Sequence, residues 1–234
     1  MKIQNSVALV TGGNRGIGKA FVDELLARGA RKVYAAARNP ATVTDPRAVA
    51  IKLDVIDPES VAETARMAGD VNLLINNAGV AIRANFLTSD LVDVRREFET
   101  NFYGPLNVTR AFVPVIERNG GGHILDVHSA LSWLALETSG SYSASKAALW
   151  SMTNSLRLAL APKGVGVTGL HMAYVDTDMA AHVNSPKSRP EDVARLALDG
   201  IEAGAPEVLT DDVSRSIKLR LADDVTAMYP QLAA

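Results

Sequence analysis

The chain has 234 residues, 47% apolar, 21% charged and 5% aromatic, the composition of a folded globular protein rather than a disordered one. Its 24 basic and 26 acidic residues leave a net charge of -2, which offers no electrostatic case for nucleic acid or an anionic membrane surface. The absence of cysteine excludes disulfides, thiolate nucleophiles and cysteine-bound zinc, and four scattered histidines without HExxH spacing give no expectation of a metal. Residues 1–10 leave no room for a signal peptide before the first glycines, and no apolar run approaches about 18 residues, so a cytoplasmic chain without a membrane span is expected.

Short β-branched apolar runs alternate with segments of helical period, which predicts βαβ units and one α/β domain over residues 1–234. Its sheet should be parallel, seven-stranded and covered by helices on both faces. The expected strands are residues 7–11, 32–37, 49–53, 72–76, 123–128, 166–172 and 207–210, most of them apolar throughout, as buried parallel strands are. After the first strand, Ile17, Phe21 and Leu25 share one helical face while Lys19 and Asp23 fall on another. Pro58 suits the first turn of the next helix. A long helix is expected from Ser89 or Asp90 to about Arg118, with Leu91, Val94, Phe98, Phe102 and Leu106 as its buried stripe. Another should cover residues 141–160, and residues 182–190 should form an exposed loop.

The first strand runs into Thr11-Gly12-Gly13-Asn14-Arg15-Gly16-Ile17-Gly18 and then into a helix. Glycines let a backbone turn sharply and approach a pyrophosphate, and the free N–H groups of a helix start favour an anion. The spacing G-x3-G-x-G departs from the G-x-G-x-x-G fingerprint, and a tight strand-to-helix turn without a ligand would use the same residues. The rest of the chain narrows the reading. This turn, then Asn76-Asn77-Ala78-Gly79, then Ser129, then Tyr142-Ser143-Ala144-Ser145-Lys146 follow one another across nearly the whole length. In these four motifs the chain resembles the short-chain dehydrogenase/reductase family. The resemblance implies a Rossmann-type fold, a nicotinamide cofactor, and hydride transfer between that cofactor and a carbonyl or alcohol.

For the cofactor, dinucleotide folds use an acid at the end of the second strand to hold a ribose, or an Arg nearby to accommodate a 2'-phosphate. This chain has Ala36-Ala37-Arg38 there, and Arg15 adds a second cation inside the glycine turn, so NADP(H) is the expected form. Either Arg alone could be a solvated surface charge. The resemblance further assigns cofactor contacts to Gly12, Asn14, Gly16, Ile17 and Gly18 of the turn, to Asp54 and Val55 beside the adenine, and to Asn77, Ala78 and Gly79 near the adenosine ribose. Val175 and Thr177 would lie by the nicotinamide carboxamide, and Asn76 would support the sheet. Helix capping is the structural alternative for Asp54.

Tyr142 and Lys146 are four apart on one helical face, where an ammonium should stabilise a phenolate and bring the usual pKa of about 10 down. Tyr142 can then give a proton to a carbonyl oxygen or take it back, with the Ser129 hydroxyl on the same oxygen. The resemblance gives Lys146 a second role on the nicotinamide ribose, and makes Asn101 the fourth catalytic member. Pro105 has no N–H, so the Asn101 carbonyl loses its i+4 donor and is free for a water that relays protons to Lys146. His128 beside Ser129 does not make a hydrolase, because adjacent strand residues face opposite ways and no G-x-S-x-G elbow is present. His123, His171 and His182 have no evident partners.

Loops after the fourth, fifth and sixth strands should form the substrate pocket. Val80, Ile82, Phe86, Leu131, Trp133, Leu134, Met172 and Tyr174 are its candidate walls, suggesting a largely apolar ketone or aldehyde, and Arg83 and Arg189 could anchor an anion that nothing in the sequence requires. Met172-Ala173 stands where the family commonly has Pro-Gly, which puts substrate pose in doubt, and the tail lacks the glycine-rich strand of the acyl-carrier reductases. The two long helices resemble those through which family members pair, so a homodimer is expected, or a tetramer, with Trp150 and Phe112 either on that surface or in the core. The competing reading is a non-catalytic NADP(H) sensor or scaffold on the same fold. A lyase is disfavoured because such relatives replace the Lys and lose the glycine turn.

Overall fold

A computed structural model describes residues 1–232. Seven strands form one all-parallel sheet: β1 (Val7–Thr11), β2 (Lys32–Ala37), β3 (Val49–Lys52), β4 (Leu73–Asn76), β5 (Gly122–Val127), β6 (Val165–His171) and β7 (Glu207–Leu209). Their spatial order is β3-β2-β1-β4-β5-β6-β7, so the winding direction reverses between β1 and β4. The side-chain alternation of β1 divides the core: Ala8 and Val10 face α1 (Gly16–Ala27) and α6 (Pro190–Ala203), whereas Val7 and Leu9 face the opposite layer. That second layer comprises α2 (Pro58–Met67), α4 (Gly104–Arg118) and α5 (Gly140–Leu160). Burial on both faces explains the apolar runs in β1 and β4, whereas β5 also buries His123 and Asp126. The edge strand β3 differs, with only Ile51 buried.

Each strand lies within a residue or so of its expected position. In α1, Phe21 and Leu25 are fully buried, while Lys19 and Asp23 pair at 2.7 Å in solvent. Asp57 caps α2 by accepting from Glu59 N, and Pro58 follows at its first position. Asp54 therefore does not cap this helix; its carboxylate accepts from Ile56 N in the preceding turn.

The expected long helix is broken into three parts. α3 (Leu91–Phe98) passes through a π-turn at residues 99–103 before α4 begins, and Gly104 N donates to Glu99 O. The apolar stripe is not the buried one: Leu91 is 65% exposed, whereas Glu97 and Asn101 are wholly buried. The rest of the stripe, Val94, Phe98, Phe102 and Leu106, is only half-buried, and the extra backbone of the π-turn breaks the helical period that would have aligned it. Phe112 belongs to the core, and Trp150 points to β7, where its indole N–H donates to Glu207. Shorter helices α7 (Asp212–Leu219) and α8 (Val225–Met228) follow β7. Among the described residues, no helix is long and apolar enough to cross a membrane.

Candidate active site

The carboxyl ends of β1, β4, β5 and β6 meet at the reversal point of the sheet, where open α/β folds form a crevice. On one wall, Thr11 ends β1 and its hydroxyl accepts from Asn77 N and Ala78 N, both at 2.9 Å. The Asn77 side-chain amide donates to Thr11 O and Gly12 O, so it braces the glycine turn against the end of β4. Gly16 has φ +52° and lies against the Thr177 methyl group, and a Cβ on Gly18 would run into the Gly12 carbonyl oxygen. The first turn of α1 has no side-chain cap. Asn14 donates to Thr42, and Arg38 is exposed just beyond β2, without an ion-pair partner among the described residues. Arg15 instead spans the crevice to Asp178 at 3.0 Å. Asp54 is half-buried, Val55 is buried against Gly104, and Val175 is buried beside Thr177.

On the opposite wall, β5 and the start of α5 bring Ser129, Tyr142 and Lys146 together. Ser129 lies two residues beyond β5, and its hydroxyl accepts from Leu131 N at 3.1 Å and faces the Tyr142 hydroxyl. Lys146 is buried and donates to Val127 O at 2.9 Å, with its ammonium 5.9 Å from the centre of the Tyr142 ring. Burial pushes the Tyr142 hydroxyl up to about 12; the Ser129 hydroxyl opposes this, Glu97 adds to it, and Arg83 opposes it. The expected lowering by Lys146 is therefore not found: the ammonium is committed to Val127 O and burial of the phenol dominates. Burial also lowers Lys146 to about 8, against the raising influence of Asp126.

Asn101 is held by Val80 on both sides: Val80 N donates to Oδ1 and Nδ2 donates to Val80 O, each at 2.9 Å, while Nδ2 also reaches Ser145 Oγ. This clamp places Gly79 where a Cβ would sit 3.1 Å from Asn101 Oδ1 and 3.8 Å from Lys146 Nζ. Asn76 performs the expected support, linking Thr109 and Asp126. Asp126 also accepts from Thr153, and burial raises its pKa.

Two features were not legible as site residues. Glu97, four positions before Asn101, accepts from Ile82 N and Arg83 N and from the Ser141 hydroxyl, fixing the loop after β4 to the start of α5. The available signal was a glutamate at i−4 from Asn101 on one helical face. The second is an aromatic stack beneath Ser129: His128 on His171 at 4.6 Å, and His171 on Trp133 at 3.9 Å. Burial lowers His128 well below its usual value and His171 to about 4, so both rings are neutral packing elements. Trp133 and Met172 thus belong to the core, whereas Val80, Ile82, Leu131 and Leu134 are half-buried and Phe86 and Tyr174 exposed around the crevice. His123 bonds Thr168, and His182 lies 3.1 Å from Arg83. Ala173, at the altered turn, is held by its N–H to the Asp211 carboxylate at 2.8 Å.

Residues 6–188 match the family model described as short chain dehydrogenase. The chain belongs to the short-chain dehydrogenase family. A short chain dehydrogenase from Burkholderia cenocepacia J2315, solved in complex with NADP, is 40% identical, with each chain covered fully and a TM-score of 0.95. A short chain dehydrogenase/reductase from Burkholderia phymatum in complex with NAD is 27% identical, covering 95% of each chain, with a TM-score of 0.83. The 3-oxoacyl-[acyl-carrier-protein] reductase of Salmonella typhimurium is 31% identical over 189 residues, covering 76% of this chain and 77% of that protein. Membership places this short-chain dehydrogenase among oxidoreductases.

Proposed function

We propose that this short-chain dehydrogenase is an NADPH-dependent carbonyl reductase. The observation that carries the reading is the meeting of Ser129, Tyr142 and Lys146 at the strand ends, facing a glycine turn across the crevice. The residues fit a nicotinamide dinucleotide: the uncapped start of α1 offers N–H groups to a pyrophosphate, and no acid at the end of β2 opposes a 2'-phosphate near Arg38. The NADP complex of the Burkholderia cenocepacia relative supports the phosphorylated form. Gly12, Asn14, Gly16, Ile17 and Gly18 would hold the pyrophosphate side, Asp54 and Val55 the adenine, Asn77, Ala78 and Gly79 the adenosine ribose, and Val175 and Thr177 the nicotinamide. Arg15 joins Arg38 on the phosphate when it leaves Asp178.

When bound, NADPH supplies the hydride for the carbonyl carbon. Tyr142, protonated at neutral pH because burial holds it near 12, donates its proton to the carbonyl oxygen. The Ser129 hydroxyl positions that oxygen. Lys146 keeps most of its charge below pH 8 and stabilises the phenolate left behind. The π-turn takes residues 99–103 out of the i+4 register and Pro105 has no N–H to offer at i+4, so the Asn101 carbonyl would hold the water through which the proton returns. Exposed Leu91, Val92 and Leu158 on α3 and α5 support pairing of two copies through these helices.

The test is consumption of NADPH, and separately NADH, with a panel of aldehydes, ketones and quinones. Carbonyl-dependent loss of NADPH supports the reading. Tight NADPH binding without turnover of any carbonyl would favour a sensor, and faster oxidation of NADH would overturn the roles of Arg38 and Arg15.

A further inference from the structure

Resting on the reductase reading, we infer that the substrate is an oxo acid: its carbonyl lies at Tyr142 and its carboxylate is bound by Arg83. Arg83 sits in the loop after β4 with φ +64°, a left-handed conformation uncommon for a residue with a side chain. The strain is held from below, because the wholly buried Glu97 carboxylate accepts from the N–H groups of Ile82 and Arg83 at 2.7 and 2.9 Å. The same carboxylate accepts from Ser141, the neighbour of Tyr142. One buried acid therefore fixes both the backbone that aims Arg83 and the helix start that carries Tyr142.

The Arg83 guanidinium crosses the crevice to the loop after β6. One nitrogen, Nη2, makes both of its contacts, donating to Met179 O at 3.3 Å and facing His182 Nδ1 at 3.1 Å. A guanidinium has no acceptor, so the His182 ring must accept and is neutral at that nitrogen. Both partners are uncharged, and Nη1 and Nε remain open. Arg189, the other sequence candidate, is neutralised by Asp192 at 2.8 Å, as Arg15 is by Asp178. Arg83 is thus a cation held in place among neutral acceptors, and its charge reaches the Tyr142 hydroxyl. Nη1 and Nε can each give a carboxylate a single charge-assisted hydrogen bond, and Nη2 completes a bidentate fork when it releases Met179 O or His182. Between the two ends, Val80, Ile82, Leu131 and Leu134 suit an apolar spacer.

The experiment compares 4-oxo and 6-oxo acids, which carry methylenes between carbonyl and carboxylate, with their methyl esters as substrates under saturating NADPH. The wild-type enzyme should prefer the best acid over its ester by about 10- to 100-fold in kcat/KM, the range of a charge-assisted contact. Arg83→Asn, a residue that tolerates the left-handed backbone, should remove most of that preference, mainly through a higher KM for the acid. Arg83→Lys should restore part of it. A wild-type enzyme indifferent to acid and ester, or a preference that survives in Arg83→Asn, would overturn the inference. Reduction of simple ketones and aldehydes but of no oxo acid would overturn it while leaving the reductase reading intact. Failure to reduce any carbonyl despite NADPH binding would overturn both.

Discussion

Lys146 is held against a stability cost, and the cost has a size and a pH dependence. Its fall from 10.5 to about 8 corresponds to about 3 kcal/mol at about 1.4 kcal/mol per tenfold change in proton affinity. Below pH 8 the lysine is charged in both folded and unfolded chains, so the full cost applies. Between pH 8 and 10.5 the folded chain gives up its proton first and the cost is progressively relieved; above 10.5 it is absent. Lys146→Met keeps most of the stem and removes the charge, but it also removes the bond to Val127 O, a loss of about 1–2 kcal/mol. The variant should therefore be more stable than the wild type at pH 7 by about 1–2 kcal/mol. For a chain of this size that raises Tm by roughly 3–6 °C. Near pH 10.5 only the lost hydrogen bond remains, and the variant should be the less stable of the two. Thermal unfolding at both pH values reads the change of sign. A variant destabilised equally at both would refute the reasoning that burial of the charge, rather than its hydrogen bond, dominates at this position.

The reductive kcat/KM should fall above about pH 8 as Lys146 loses its proton, and Asp126→Asn should move that fall to lower pH, because the Asp126 charge is what raises Lys146; a pH–rate profile of both proteins checks it. In Gly18→Ala the new methyl meets the Gly12 carbonyl, so the turn must open; calorimetric titration should show NADPH binding weakened at least tenfold, with stability lower by about 1–3 kcal/mol. Pro105→Ala restores an N–H that can occupy the Asn101 carbonyl. Lower turnover and an altered pH profile are expected, and an unchanged enzyme would remove the proline from the proton route.

The central strands could be read closely because they are short runs buried on both faces, and even the half-buried residues 207–209 form the β7 edge. The glycine turn, Ser129, Tyr142 and Lys146 were legible because their spacing within one strand end or one helix turn is local. What escaped depends on contacts distant in sequence. A heptad-like apolar stripe through residues 91–106 reads as a continuous helix, yet its burial is decided by Glu97 and Asn101, whose partners lie in the loop at 80–83 and in α5. The Tyr142 pKa escaped for the same reason: pairing with Lys146 can be read from i, i+4 spacing, but burial cannot, and burial is the larger influence. The His128, His171 and Trp133 stack joins two segments, the connection after β5 and the end of β6, so no single stretch announces it.

The central claim is that a proton from Tyr142 and a hydride from NADPH reach the same carbonyl. NADPH deuterated on the transferred face of C4 would be incubated with the best carbonyl substrate, and the alcohol analysed by mass spectrometry. The account predicts one deuterium on the carbinol carbon with the wild-type enzyme, and with Tyr142→Phe a rate lower by about 10²- to 10⁴-fold under NADPH binding that persists. Deuterium-free alcohol, or Tyr142→Phe turning over at the wild-type rate, would contradict it.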